Sequence, residues 1–302
     1  MNIINIKPYL IIITFLLFSL LSTMSAYAME GPTSAEYGTV LNLSGKQRML
    51  SQKMVKEILL IALNEDKKAN LAHLKNTSAL FDKTLKGLRN GSSELHLPVT
   101  NSKRILRQLD KVDAIWAEVY PTVKNIISAN NVDKDQVSII ATNNLPLLKQ
   151  MNKAVGLYEK DAKKGGLKAE PGLAATINLA GKQRMLSQKM SKEFLLLAYG
   201  YQVEDNKLNL LETYSLFERI LKGLKDGDEN LGLPGTKSQT IREQLNVVND
   251  LWVTLKPIIV FAGDYKTTKI NAEKITELAA MNLPLLKEMN KAVGMYEKES
   301  AK

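Results

Sequence analysis

Apolar residues recur along most of this chain at intervals of three and four, and almost nowhere at the alternate positions of a strand. Four long helices are predicted in the first half, over about residues 35–64, 66–89, 101–129 and 133–163. Thr33 and Glu36 have the spacing of a capping box at the first helix start. Asn90-Gly91 is a C-cap pair that ends the second helix. Pro121 is expected to bend the third, and Pro146 sits in the first half of the fourth. The second half of the chain repeats the pattern, with its second helix ending at Asp226-Gly227. Short loops between long amphipathic helices make neighbours antiparallel, so each half is predicted to be an up-down-up-down four-helix bundle. The fold class is all-α: two tandem antiparallel bundles.

The repetition is also literal. NLSGKQRMLSQKMVKE (42–57) recurs as NLAGKQRMLSQKMSKE (178–193), identical at fourteen of sixteen positions with an offset of 136. Phe81 and Phe217, and Trp116 and Trp252, keep that offset, whereas NLPLLKQMNKAVGLYEK (144–160) recurs at 282–298 with an offset of 138. The extra two residues are expected in the loop after the third helix, near 129–133 and 263–268. So long a period means duplicated domains, not a solenoid. Gly165-Gly166 and Pro171-Gly172 break the path between copies. The expected domains are 29–163 and 173–302, joined by a linker at 164–172 that sets the bundles side by side.

At the N-terminus, Lys7, an apolar run from Tyr9 to Leu21, and Ala26-Tyr27-Ala28 resemble a secretory signal over residues 1–28, cleaved near Ala28. A retained N-terminal anchor is the alternative. No later stretch is expected to be apolar enough to span a bilayer, so the expected product is a soluble periplasmic or secreted protein. The chain has no cysteine, which removes disulfides, lipidated cysteine and covalent haem. Its net charge of +10 suits anionic small molecules or an acidic envelope surface better than nucleic acid in an exported protein, and most lysines read as solvated surface.

The first helix has two apolar faces. Leu43, Gln47, Leu50, Met54, Ile58 and Ile61 form a stripe toward the bundle's own core. Leu41, Gly45, Arg48, Gln52, Val55, Leu59 and Leu63 form a second stripe on the opposite side, matched by Ile177, Gly181, Arg184, Gln188, Ser191, Leu195 and Tyr199. A helix with two apolar faces must be buried twice, and its simplest second partner is the first helix of the other repeat. Glycine inside a helix costs about 1 kcal/mol relative to alanine, and close helix approach is a reason to keep it. Arg48 would then lie near Arg184, and two buried like charges call for an anion between them. The forked guanidinium matches a planar oxyanion or a carboxylate. Gln52 and Gln188 are expected to add donors, and Lys53 and Lys189 positive potential from the flank. Asn152 and Asn290, on the antiparallel fourth helices, would support the site from behind. If the guanidinium groups lie more than roughly 15 Å apart, they cannot share a small ion by direct hydrogen bonds.

Asn42, Gly45, Arg48, Met49 and Ser51, with the same pattern in the second copy, resemble the ligand-binding helix of PilJ-type sensor domains. These are the N-terminal periplasmic part of type IV pili methyl-accepting chemotaxis transducers, related to the periplasmic domains of nitrate/nitrite sensors. The resemblance implies a four-helix bundle that dimerises and holds one anion between paired first helices through the matching Gly and Arg. It makes nitrate and nitrite the first ligand candidates, with small carboxylates next. It also implies a membrane sensor or chemoreceptor partner, because family members usually carry an output module and none is expected within these residues. What the family does as a dimer, this chain could do within one polypeptide, with a homodimer left open.

Catalytic chemistry is not expected. His73 and His96 are the only histidines, and their counterparts are Asn209 and Gly232. Glu-x-x-His pairs for a di-iron bundle, nucleophile–base sets and phosphate loops are all missing from the sequence, so neither cofactor nor metal is expected. The competing expectation is a structural or adaptor protein of the cell envelope, associated with pili or chemotaxis, that binds no small molecule.

Overall fold

Helix α1 (Ser34–Ala62) is followed by α2 (Lys67–Asn90), α3 (Lys103–Ala129) and α4 (Lys134–Lys164), then by α5 (Leu173–Tyr199), α6 (Val203–Asp226), α7 (Gln239–Gly263) and α8 (Ala272–Glu299). This computed structural model describes residues 31–167 and 172–300. The proposed signal (1–28) and the middle of the linker (168–171) lie outside them. Among the described residues the only β pairing is two isolated bridges, Ser92 with Leu97 and Asp228 with Leu233.

Local chemistry sets the helix ends. The Thr33 hydroxyl accepts from the Glu36 amide at 3.2 Å, and the Glu36 carboxylate accepts from the Thr33 amide at 2.7 Å, closing the capping box that starts α1. Asp133 and Gln136 repeat the device at α4. At the end of α2 the chain turns through Gly91 at φ 78°, a region that favours glycine, and its amide bonds the Gly87 carbonyl at 2.9 Å. Pro121, Pro146, Pro257 and Pro284 all lie inside helices. The loop between α3 and α4 is shorter than that between α7 and α8, which is where the repeat offset changes.

Within each repeat the helices pack as a ring, α1 on α2 and α4, and α3 on both; α5 to α8 do likewise. Trp116 packs on Phe81 at 4.5 Å between ring centroids, and Trp252 on Phe217 at 5.0 Å. Each indole N–H is satisfied at the core's edge, by Asp82 in one repeat and Glu218 in the other. The most extensive contact of all is between α1 and α5, with α8 also touching α1 and α4 touching α5. From Pro32 onward the chain therefore packs as one unit. Both predicted stripes of α1 are buried: Leu50, Met54 and Ile58 on one, Leu41 and Leu59 on the other, while Val55, expected on the second stripe, lines a small cavity of its own bundle beside Val119, Val123 and Ile140.

The expectation that no later stretch could span a bilayer does not hold for α7. By length and composition Gln239–Gly263 is apolar enough to cross a membrane. In the fold it is a core helix, with Leu245, Val248, Trp252, Leu255 and Ile259 buried. Its hydropathy is raised by Val247, Val253, Val260 and Phe261 on the outside, where the first repeat has Lys111, Ala117, Lys124 and Asn125.

Because α1 and α5 belong to both a bundle core and the seam, the two bundles should unfold together. Trp116→Phe and Trp252→Phe variants, each leaving one tryptophan as reporter, are expected to give the same urea midpoint by fluorescence. Leu59→Asp, a charge in the buried seam, should lower stability by more than about 3 kcal/mol and separate the two midpoints. Different midpoints in the parent reporters would show that the seam does not couple the bundles.

Candidate functional site

Side chains on an α-helix lean toward its N-terminus, so Arg48 lies back over Gly45, one turn earlier. A Cβ placed on Gly45 would stand 3.3 Å from Arg48 Nη2, 3.7 Å from Arg184 Nη2 and 3.8 Å from the Gly181 Cα. At Gly181 the figures are 3.4 Å to Arg184 Nη2, 3.6 Å to Arg48 Nη2 and 3.8 Å to the Gly45 Cα. Both guanidinium groups thus converge on one point between two glycines, far inside the limit for sharing a small ion. The glycines do more than let the backbones approach, since the tightest contact a methyl would make is with the guanidinium of its own helix.

Each arginine crosses the seam. Arg48 Nη2 donates to the Asn178 carbonyl at 3.0 Å and Nη1 to Asn152 Oδ1 at 3.3 Å. Arg184 donates to the Asn42 carbonyl and Asn290 Oδ1 at the same two distances. Gly45 faces Gly181, and Lys56 meets Asn282 at the level of Ser187 and Ser191, so α1 and α5 run in the same direction about a pseudo-twofold axis. Asn152 and Asn290 stand where the sequence places them, behind the arginines. Nε of both arginines is buried without a hydrogen-bond partner among the described residues.

Two carboxylates stand nearby that the sequence reading passed over. Asn42 Nδ2 donates to Glu297 at 2.6 Å, and Asn178 Nδ2 donates to Glu159. Both glutamates sit in the duplicated fourth-helix block and both asparagines in the duplicated first-helix block, which was the available signal. They compensate the arginines only in part. Burial draws Arg48 down to about 10 against the opposing pull of Glu159. Burial and then the charge of Arg48 draw Arg184 down to about 9, opposed by Glu297. Arginine keeps its proton at neutral pH, so the depression measures how poorly the two charges are compensated.

A second tier of polar bonds lies further along the seam. Lys56 Nζ, on α1, donates to Asn282 Oδ1 on α8 at 2.9 Å, and Asn282 donates to the Ser187 carbonyl and to Ser191 Oγ on α5. In the mirror arrangement Lys192 donates to Asn144 Oδ1 at 3.3 Å, and Asn144 donates to the Ser51 carbonyl. Lys53 and Lys189 do not flank the arginines as expected. Lys53 is taken by Glu57 and by Thr77 of α2, and Lys189 by Glu193 and by Thr213 of α6, so both ammonium groups turn into their own bundles. The buried carboxylates one turn away draw them there. Gln52 and Gln188 are fully buried on the seam stripe. The role expected of them needs revision, because in each the carbonyl Oε1 is the atom without a partner.

Two helical bundles joined through arginine-bearing first helices have the architecture of a tandem sensory domain. The chain belongs to the PilJ family, described as the type IV pili methyl-accepting chemotaxis transducer N-terminal domain, which matches residues 34–141 and 167–275. Comparisons with curated proteins and with solved structures returned no match. Each family match stops inside the fourth helix of its repeat, so Asn152, Glu159, Asn290 and Glu297 lie beyond it. Among the described residues, no group of three or more His, Cys, Asp or Glu is placed to hold a metal.

Burial draws Lys56 and Lys192 from the ordinary 10.5 down to about 8, against the pull of Glu57 and Glu193. Between about pH 8 and 10.5 the unfolded chain then binds more protons than the folded one, so stability should rise with pH across that window. Each lysine can contribute a slope of up to about 1.4 kcal/mol per pH unit. Urea unfolding at several pH values should show that slope reduced in Lys56→Met/Lys192→Met. The same slope in parent and variant would mean that these lysines do not carry it.

Proposed function

We propose that this chain is an exported, non-enzymatic sensory protein that binds one small planar oxyanion between Arg48 and Arg184, with nitrate and nitrite as the first candidates. The observation that supports this most directly is the convergence of two buried guanidinium groups on one point between Gly45 and Gly181, each with an unpartnered Nε. An anion there would relieve the repulsion and accept several charge-assisted hydrogen bonds at once. Binding would alter the packing of α1 on α5, and the reporting would pass to a membrane sensor or chemoreceptor, as the family suggests. The periplasm is the compartment this reading requires, with residues 1–28 as the export signal.

A second reading has its own observation. The crossed bonds from Arg48 and Arg184 to opposite backbone carbonyls already tie the bundles together, as an envelope adaptor without a ligand would need. Calorimetric titration separates the two. Nitrate, nitrite or acetate is expected to bind with one site per chain, and at about 100 times Kd to add about 2.7 kcal/mol of stability. Arg48→Ala/Arg184→Ala should abolish both effects. Gly45→Ala/Gly181→Ala should weaken binding, since each methyl displaces the guanidinium of its own helix. Absence of binding by the parent protein, or undiminished binding by the double arginine variant, refutes the ligand reading in favour of the adaptor.

A further inference from the structure

One turn along the seam from the guanidinium pair, the two buried glutamines present acceptors. The orientation of a glutamine amide is ordinarily a matter of assignment, and here the neighbouring serines favour one. The Ser51 hydroxyl spends its one hydrogen on the Arg48 carbonyl at 2.8 Å, so its oxygen can only accept, and Gln52 Nε2 donates to it at 3.1 Å. Ser187 donates to the Arg184 carbonyl at 2.9 Å and accepts from Gln188 Nε2 at 3.4 Å. Turning either amide around, with the serine hydroxyl rotated to meet it, would leave one hydrogen bond where the present orientation makes two. Oε1 is therefore the free atom of Gln52 and of Gln188, fully buried in both, and two independently packed copies agree.

Gln52 shares the Arg48 stripe and leans toward it along the helix. Their Cα atoms are four residues apart, a rise of ~6 Å along the helix. A bare oxyanion such as nitrate or nitrite satisfies the arginine donors and leaves the glutamine acceptors unpaired. Buried acceptors without donors are costly, and a site built around polar groups favours the ligand that completes them.

We infer that the oxyanion this seam is built for carries a hydrogen of its own. It is a protonated oxyanion, of which bicarbonate is a small planar example. Its charged oxygens face Arg48 and Arg184, and its hydroxyl donates to Oε1 of Gln52 or, by the pseudo-twofold, of Gln188. This rests on reading the arginine pair as an oxyanion site and specifies the class of anion.

The test is a calorimetric comparison of sodium bicarbonate, nitrate and formate at one near-neutral pH, on the parent protein and on Gln52→Met/Gln188→Met. In the parent, bicarbonate is expected to bind about tenfold tighter than either bare anion, the equivalent of one well-made hydrogen bond. The double variant should lose that preference. Bicarbonate binding no tighter than nitrate, as expected if a water bridges the glutamines, overturns the inference while leaving the anion site standing. A preference that survives in the variant also overturns it. Binding of no anion at all overturns both. Should the double variant fail to fold, the two single variants and the parent ranking decide.

Discussion

Helices α1 and α5 each carry apolar residues on opposite faces, and a four-helix bundle covers only one of them. Leu41 and Leu59 in one copy, and Ile177 and Leu195 in the other, are as buried as residues of the bundle cores. The seam is thus a third core shared by both repeats, not a docking surface between finished domains. Hydrophobic burial supplies its strength, since the loss of apolar contact with water is the dominant favourable term in such packing. Everything polar in the seam is held in place by that burial.

The polar groups would be hard to explain otherwise. Two arginines and two lysines are buried between the bundles, together with glutamines and asparagines. Removing charges from water is costly unless the geometry repays it. The chain repays part of it crosswise. Each arginine bonds a carbonyl of the opposite helix, and each lysine bonds an asparagine of the opposite repeat. Such bonds can form only in one register, so they fix which residues of α1 and α5 face each other. Burial leaves charge incompletely compensated at both levels, and the arginine level differs in bringing two like charges to one point.

Most of the architecture was legible in the residues. Apolar spacing at three and four, the Thr33–Glu36 box and the Asn90-Gly91 stop are local signals, each made by contacts within a few residues. The paired first helices were legible because one helix cannot bury two stripes alone. Arg48 and Arg184 were found together for the same reason, with Asn152 and Asn290 behind them. The glutamates were missed because their contact is indirect, reaching the arginine level through the side chains of Asn42 and Asn178. The directions of Lys53 and Lys189 were missed because a long flexible side chain goes to the nearest buried carboxylate, and position on a helical wheel does not reveal which carboxylates are buried. The acceptor role of the glutamines depends on where one serine hydrogen points, which no spacing encodes.

Duplication within one chain also permits something a symmetric dimer does not. Linking two halves raises their effective concentration, so the seam forms whatever the protein concentration, and the halves are then free to diverge. They have diverged at the seam itself. Ser191 accepts a hydrogen bond from Asn282 at 2.6 Å where the first copy has Val55, so the two Lys–Asn bridges differ in strength. The outer side of α7 has Val247 and Val260 where α3 carries Lys111 and Lys124. A ligand on the pseudo-axis would therefore act on two unequal bundles, and any change in packing it causes would have a direction.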